Sequence, residues 1–202
     1  MSKLGPDPRQ LQELILQALE HEEGSVLVYN QALECVQNEH LAEEWESYLE
    51  QTENHVRILC RVCTALEIDA TQETPGVLIA RQNAEALVRA MQIALKAGAP
   101  GTAQLVACEC AVLAETRSQA NWELLGKCAA NSSGRVAQAL RAAVDAVANE
   151  EDEHLYGTRG WSRELWLESL GLPSVLPPPG RQYHTEMTVG AAQPGQASAG
   201  SR

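Results

Sequence analysis

Apolar residues recur every three or four positions along most of the chain, which is the period of a helix with one buried face. This pattern predicts long helices at residues 9–37, 40–66, 77–97, 102–129 and 135–156, and a short helical piece at 161–171. Gly157 and Gly160 separate the last two pieces, because glycine weakens a helix. Runs that alternate between apolar and polar residues are missing, so the sequence predicts an all-α fold.

Two of the predicted connections are short enough to form antiparallel hairpins. Residues 9–66 make the first hairpin and residues 102–156 the second, and the helix at 77–97 lies on the crossover between them. Two hairpins joined by a long crossover are one topology of a four-helix bundle, so we predict a bundle at residues 1–172. The Pro/Gly/Ala-rich segment 173–202 cannot bury enough apolar surface and is predicted to be a disordered tail.

Isolated acidic or imidazole side chains interrupt the apolar stripes of four predicted helices. They are Glu22, His55, Glu115, Glu151 and His154. A carboxylate on a buried face is costly unless something pairs with it. A metal ion removes that cost when several such groups converge. Glu151 and His154 lie on one helix face, since they are separated by three positions, and both can reach one centre. These interior polar positions therefore predict a metal site.

The charge of the chain argues against two classes of partner. The formal net charge is -12 and the sequence pI is about 4.8, with no face rich in Lys and Arg. Nucleic acids and anionic membranes would repel such a chain, so neither is predicted as a partner. No run of about 18 apolar residues is present, and no apolar leader precedes the first helix. We therefore expect a cytoplasmic protein with reduced cysteines.

The cysteine spacing raises a second metal or redox hypothesis. Cys60 and Cys63 have the spacing of a zinc or redox pair, and Cys108 and Cys110 form another close pair. A zinc knuckle needs two similarly spaced pairs on loops, whereas Cys108 and Cys110 diverge around a helix. We therefore expect the cysteines to be buried apolar residues.

The order and spacing of the interior polar residues resemble the ferritin-like di-iron carboxylate superfamily. That family takes a Glu from each of two helices and a Glu-x-x-His from each of the other two. The run EEDEH at 150–154 resembles the last-helix motif, and Glu115 is similar to the Glu of the preceding helix. Glu22 followed by Tyr29 resembles the first helix of bacterioferritin-like proteins. The run YLEQTENHVRIL at 48–59 looks most like the second helix of the YciF-type stress proteins.

The resemblance covers about residues 9–160 and implies a function. It implies a di-iron or mono-iron site, with manganese or zinc as other metals that such donors suit. The implied reaction is oxidation of Fe(II) by O2 or H2O2, as in a ferroxidase, in a stress or iron-handling setting. Tyr29 is a candidate catalytic residue that could bond a ligand or donate an electron. We also expect a homodimer or higher oligomer.

The second helix departs from the family pattern. It carries Thr52 where the family has a Glu, three residues before His55, and threonine is a poor metal ligand. Glu53 is included as a candidate ligand, although it points about 100° away and would need a rotation of the helix. The chain could otherwise bind one metal or be a metal-free helical scaffold. On a later helix, Glu109 competes with Glu115 for the role of ligand.

The predicted tail contains a small apolar cluster at residues 186–191. This cluster loosely resembles the C-terminal peptides by which ferritin-like cargo docks inside encapsulin shells. The Pro/Gly-rich segment before it would serve as a linker. The resemblance implies a shell protein as a partner, whereas a tail without a partner is the alternative.

Overall fold

The computed structural model describes residues 5–178, and within that range it contains five α-helices and no strand. The helices are α1 (Pro8–Cys35), α2 (Glu39–Leu66), α3 (Pro75–Lys96), α4 (Pro100–Ala130) and α5 (Gly134–Ser169). The predicted all-α class is confirmed. Most of the predicted tail, including residues 186–191, lies outside the described residues.

Polar residues at the starts of three helices explain where these helices begin. The side chains of Asp7 and Asn38 each accept hydrogen bonds from two backbone N–H groups in the first turns of α1 and α2, and Thr74 accepts one in α3. These bonds satisfy donors that have no partner within the helix. The connections at 36–38 and 131–133 are three residues long, so α1 and α2 form one antiparallel hairpin and α4 and α5 another.

Helices α1, α2, α5 and α4 pack as successive neighbours around a shared interior. Across the α1–α4 contact, Glu22 bonds to Trp122, whereas the later Tyr29 bonds to the earlier Glu115, so these two helices are antiparallel. The hydrogen bonds between α2 and α5 also join later residues of one helix to earlier residues of the other, so this pair is antiparallel too. Each helix of this group therefore runs opposite to both of its neighbours.

Helix α3 returns the chain from one end of the bundle to the other. It packs against α1 and α4, on the outside of the interior that the other helices share. Arg81 forms an ion pair with Glu20, and Gln92 further along α3 bonds to Gln31 of α1, so α3 runs parallel to α1. This crossover allows α4 to start beside the turn between α1 and α2, where Gln104 accepts two backbone hydrogen bonds.

Helix α5 is continuous, so the predicted break at Gly157 and Gly160 is wrong. Gly157 faces the hydroxyl of Tyr48 and the carboxylate of Glu44, which leave no room for a Cβ atom. The glycine therefore permits close packing of α5 on α2. Trp161, one turn later, is buried and donates a hydrogen bond to Glu44, and this packing outweighs the cost of about 1 kcal/mol for a helical glycine.

The bundle interior contains a polar layer between two apolar clusters. The first cluster takes in the later part of α1 and the early part of α2, with Tyr29, Trp45 and Trp161 among its members. The second lies at the opposite end of the same helices and includes Ile15, Leu59 and Leu140. The interrupted positions of the helical stripes fall between these clusters. Within the described residues, none of the helices is long and apolar enough to cross a membrane.

Candidate metal centre

The structure brings together the five interior polar residues that the stripes singled out, each at most 2% exposed. They are Glu22, His55, Glu115, Glu151 and His154. The residues make two groups of three that share Glu151, with Glu22 and His55 in one and Glu115 and His154 in the other. Within each group, one donor atom from each residue lies within 4.8 Å of the others. The four long helices of the bundle therefore converge on two adjoining three-donor positions.

In the first group, one ring nitrogen of His55 faces both carboxylates. Its Nδ1 lies 3.6 Å from Glu22 Oε2 and 3.0 Å from Glu151 Oε1. The opposite ring nitrogen, Nε2, lies 2.8 Å from Glu150 Oε2. A carboxylate on the far nitrogen fixes the orientation of an imidazole and leaves the near nitrogen available as a metal donor.

The second group has the same construction. His154 Nδ1 lies 3.5 Å from Glu115 Oε2, and its Nε2 lies 2.6 Å from Gln51 Oε1. The hydroxyl of Tyr29 donates a 2.6 Å hydrogen bond to Glu115 Oε1. Neighbouring side chains therefore hold the outer atoms, His154 Nε2 and Glu115 Oε1. The inner atoms, His154 Nδ1 and Glu115 Oε2, face Glu151.

Glu22 is supported in a matching way from the facing helix. Its Oε1 accepts hydrogen bonds from Trp122 Nε1, at 2.9 Å, and from the hydroxyl of Ser118. Its other oxygen, Oε2, faces His55. Polar groups that orient ligands in this way are a regular feature of protein metal sites.

Four inward-facing donor atoms in the described part of the site lack a hydrogen-bond partner. They are His55 Nδ1, Glu115 Oε2 and both carboxylate oxygens of Glu151. The 3.0 Å approach of His55 Nδ1 to Glu151 is not aligned as a hydrogen bond. An unsatisfied buried polar group costs about 1–3 kcal/mol, and charged groups cost more. Cations between these atoms would satisfy all four, so the donor set fits a metal.

The pKa values reflect this concentration of buried carboxylates. Burial, followed by the charge of Glu22, raises the pKa of Glu151 to about 8. Burial lowers the pKa of His55, but its contacts with Glu151 and Glu22 outweigh burial and raise that pKa to about 10. The pKa of His154 is also raised, because Glu115 outweighs the opposing effect of burial. The cluster therefore favours a bound positive charge, whether a proton or a cation.

Three other residues considered from the sequence lie elsewhere or offer no donor. Glu53 is exposed and belongs to neither group, so α2 is not rotated to bring it inward. Glu109 is also exposed and accepts a hydrogen bond from Trp166, so Glu115 is the residue of α4 that faces the interior. Thr52 is buried, but its hydroxyl donates to the backbone carbonyl of Tyr48 at 2.8 Å.

Tyr29, the candidate catalytic residue, is fully buried beside the second group. Its ring lies 6.1 Å from that of Tyr48 and 6.4 Å from that of His154, measured between centroids. Burial, followed by the negative charge of Glu115, raises the pKa of Tyr29 well above its usual range. The phenol therefore keeps its proton and acts as a hydrogen-bond donor to Glu115.

Trp122 was missed from the sequence as a residue that supports Glu22, although a signal was present. Tyr29 follows Glu22 by seven positions, and Trp122 follows Glu115 by the same interval. Seven residues are nearly two helical turns, so each aromatic residue lies on the same face as its Glu. The shared spacing could have identified Trp122 as the counterpart of Tyr29.

The cysteines take no part in either group, and all six are free thiols. Burial is confirmed for four of them, whereas Cys60 is exposed and Cys128 is half-buried. The chain matches no family model, no curated protein and no solved structure. Its function is therefore inferred from the geometry of the buried groups.

Proposed function

We propose that the chain is a ferritin-like metal-binding protein whose bundle interior holds two cations. The observation that carries the proposal is that two three-donor groups share Glu151. A carboxylate shared in this way can bridge two cations and offset their mutual repulsion. The unpaired inner atoms of His55, Glu115 and Glu151 support the same interpretation, because cations would give each of them a partner.

The proposed ligands divide between the two positions. Glu22 Oε2 and His55 Nδ1 serve one cation, Glu115 Oε2 and His154 Nδ1 serve the other, and Glu151 contributes to both. Carboxylate and imidazole donors suit iron, manganese and zinc. We propose iron as the metal, in agreement with the resemblance of the helical motifs.

The proposed reaction is the oxidation of Fe(II) to Fe(III), with iron as the substrate and O2 or H2O2 as the oxidant. Two Fe(II) ions supply the two electrons that, with two protons, reduce one H2O2 to two waters. The apolar clusters on either side of the polar layer limit the entry of water. Tyr29 holds Glu115 through its hydrogen bond, and its ring is close enough to take part in electron transfer.

Anaerobic titration with Fe(II) tests this proposal directly. The protein is expected to bind two Fe(II) per chain. Glu151→Gln should lose most of this binding, because the substitution removes the shared charge from both positions. Glu53→Gln is the matched control on an exposed position of α2 and should bind like the original protein. Unchanged Fe(II) binding in Glu151→Gln would refute the assignment.

A second candidate function is a metal-free helical scaffold or stress-associated interaction protein. It is favoured by the contacts of His55 with Glu22 and Glu151, which could form a buried ion-pair network without metal. Thr52 in place of a fourth carboxylate also favours it. Metal analysis of protein purified without a His tag separates the two candidates. A metal-binding bundle should contain stoichiometric metal and melt at a higher temperature when metal is added.

The proposals for location and partners depend on the sequence alone. A cytoplasmic location, a homodimer or higher oligomer, and a shell protein bound through residues 186–191 remain predictions. Residues 186–191 lie outside the described part of the chain. Deletion of residues 183–202 should leave the stability of the bundle unchanged and remove co-purification with a larger assembly.

A further inference from the structure

Helices α2 and α5 contribute residues to the candidate centre from corresponding positions, but of these two helices only α5 contributes a carboxylate ligand. Glu151 of α5 and Thr52 of α2 are equivalent in sequence, because each lies three residues before a histidine of the site. The residues directly before them, Glu150 and Gln51, also correspond, since each contacts the far ring nitrogen of the histidine on the opposite helix. The α5 half therefore supplies a shared carboxylate, whereas the α2 half has no counterpart.

Thr52 does not replace the missing carboxylate. The residue is 1% exposed, and its hydroxyl donates to the backbone carbonyl of Tyr48 on its own helix at 2.8 Å. The side chain carries no charge and ends two bonds short of a glutamate carboxylate. The side of the centre that faces α2 therefore receives no anionic donor from this position.

The remaining ligands leave the coordination of two metals incomplete. Each group offers three donor atoms, one from each of its residues. The outer oxygen of Glu22 is engaged by Ser118 and Trp122, and that of Glu115 by Tyr29, so each of these carboxylates has one oxygen for a metal. First-row divalent metals take about four to six ligands. Each metal would therefore have at least one open position.

The charge of the loaded centre is also incomplete. Two divalent cations would bring one positive charge more than Glu22, Glu115 and Glu151 together can balance. The side chain of Glu150 is 32% exposed and contacts the far nitrogen of His55, so water screens it from the centre. An excess charge between two apolar clusters is costly unless an anion accompanies it.

We propose that a small monocarboxylate binds beside Thr52 and bridges the two metals in place of the missing glutamate. This inference rests on the proposed two-metal function. A carboxylate supplies one negative charge and two oxygen donors, which are the charge and the donors that the α2 half lacks. Formate and acetate are the smallest ligands of this class and the closest mimics of the end of a glutamate side chain.

Binding of Co(II) to the full chain tests the inference without any oxidation reaction. Co(II) is titrated in sodium formate and, at the same ionic strength, in sodium chloride, because matched salt removes the effect of screening. Formate should tighten the binding of two Co(II) by about tenfold or more and change the visible absorption of the bound ions. Equal affinities and equal spectra in the two salts would overturn the inference.

Two variants at position 52 provide the matched comparison. Thr52→Glu should bind two Co(II) in chloride as tightly as the original protein does in formate, and added formate should have no effect. Thr52→Val has nearly the shape of threonine and adds no donor, so it should retain the response to formate. A loss of that response in Thr52→Val would overturn the inference, because the effect of formate would then depend on the hydroxyl and not on a bridge between the two metals.

These outcomes separate the inference from the proposed function. If the original protein binds no Co(II) in either salt, the two-metal function fails. If it binds two Co(II) but formate changes nothing, only the bridging carboxylate fails. Circular dichroism checks that Thr52→Glu is folded. If this variant is unfolded, the comparison of formate with chloride in the original protein decides the question.

Discussion

The indole of Trp122 on α4 donates a 2.9 Å hydrogen bond to Glu22 on α1. The reverse contact is also present, because Tyr29 on α1 donates to Glu115 on α4 at 2.6 Å. Each of these two helices thus carries one glutamate of the centre and the aromatic donor that supports the glutamate of the other helix. The inner oxygens of both glutamates are oriented by residues that belong to neither of the two three-donor groups.

Loss of an aromatic donor should weaken metal binding. Tyr29→Phe leaves the outer oxygen of Glu115 without its 2.6 Å hydrogen bond and frees the carboxylate to turn. We expect the affinity for Co(II) to fall about tenfold or more, since outer-sphere partners of metal ligands typically contribute 10–100-fold. Isothermal titration calorimetry under nitrogen measures the change. Trp122→Phe should have a smaller effect, because Ser118 also bonds to Glu22.

Trp166→Phe is the control for these substitutions. Its indole also donates to a glutamate, Glu109, but both residues are exposed and lie outside the centre. The affinity for Co(II) should not change. An equal loss in this variant and in Tyr29→Phe would show that the effect does not come from the orientation of a ligand.

The metal-free protein should lose stability as the pH rises from about 6.5 to 10. The pKa of His55 is raised from 6.5 to about 10 on folding, so its stabilising charge is fully present below 6.5 and is lost as the pH passes through 10. The raised pKa of Glu151, about 8, acts in the same direction, because ionisation of this buried acid is unfavourable. Melting temperatures in chelator across this range give the slope.

The slope should be shallower in His55→Gln, which has no proton to lose. A slope that is unchanged in this variant would contradict the assignment of the effect to His55. A metal that takes the place of this proton should bind more tightly as the pH rises. The rise in melting temperature caused by Zn(II) should therefore be larger at pH 9 than at pH 6.5.

The close packing of α5 on α2 predicts opposite effects for two glycine substitutions. Gly157→Ala places a methyl group against the hydroxyl of Tyr48 and the carboxylate of Glu44, and overpacking of this kind costs about 1–3 kcal/mol. Gly126→Ala is the control within α4. The nearest atom to its new methyl group is a Val144 carbon at 3.5 Å, so the substitution should stabilise the helix by about 0.5–1 kcal/mol. Urea unfolding distinguishes the two. Equal free energies of unfolding would show that the α2–α5 contact is not tight at Gly157.

The helical period predicted much of this structure from the sequence. It located α1 to α4 and the start of α5 to within a few residues, and it singled out Glu22, His55 and Glu115 because each interrupts a stripe of apolar residues. Side chains on such stripes point to the shared interior, so their convergence follows from the fold. Single-helix patterns cannot show which residue of a facing helix is in contact, and Gln51 was missed for that reason.

The prediction for α5 failed for a related reason. Glycine propensity alone favours a break at Gly157, but the contact with Tyr48 is a property of two helices together. Glu53 was considered because it is acidic and adjacent to Thr52, and helix geometry explains why it is exposed. At Gly157, the packing of the partner helix therefore outweighs the local preference.

The polar layer between the two apolar clusters also determines how far the helices can slide along one another. Displacement of one helix by a single turn, about 5.4 Å, would move a carboxylate or an imidazole into an apolar cluster and an aliphatic side chain into the polar layer. Alanine- and leucine-rich surfaces alone would tolerate such slippage. The buried charges of the candidate centre therefore also specify the axial alignment of the helices.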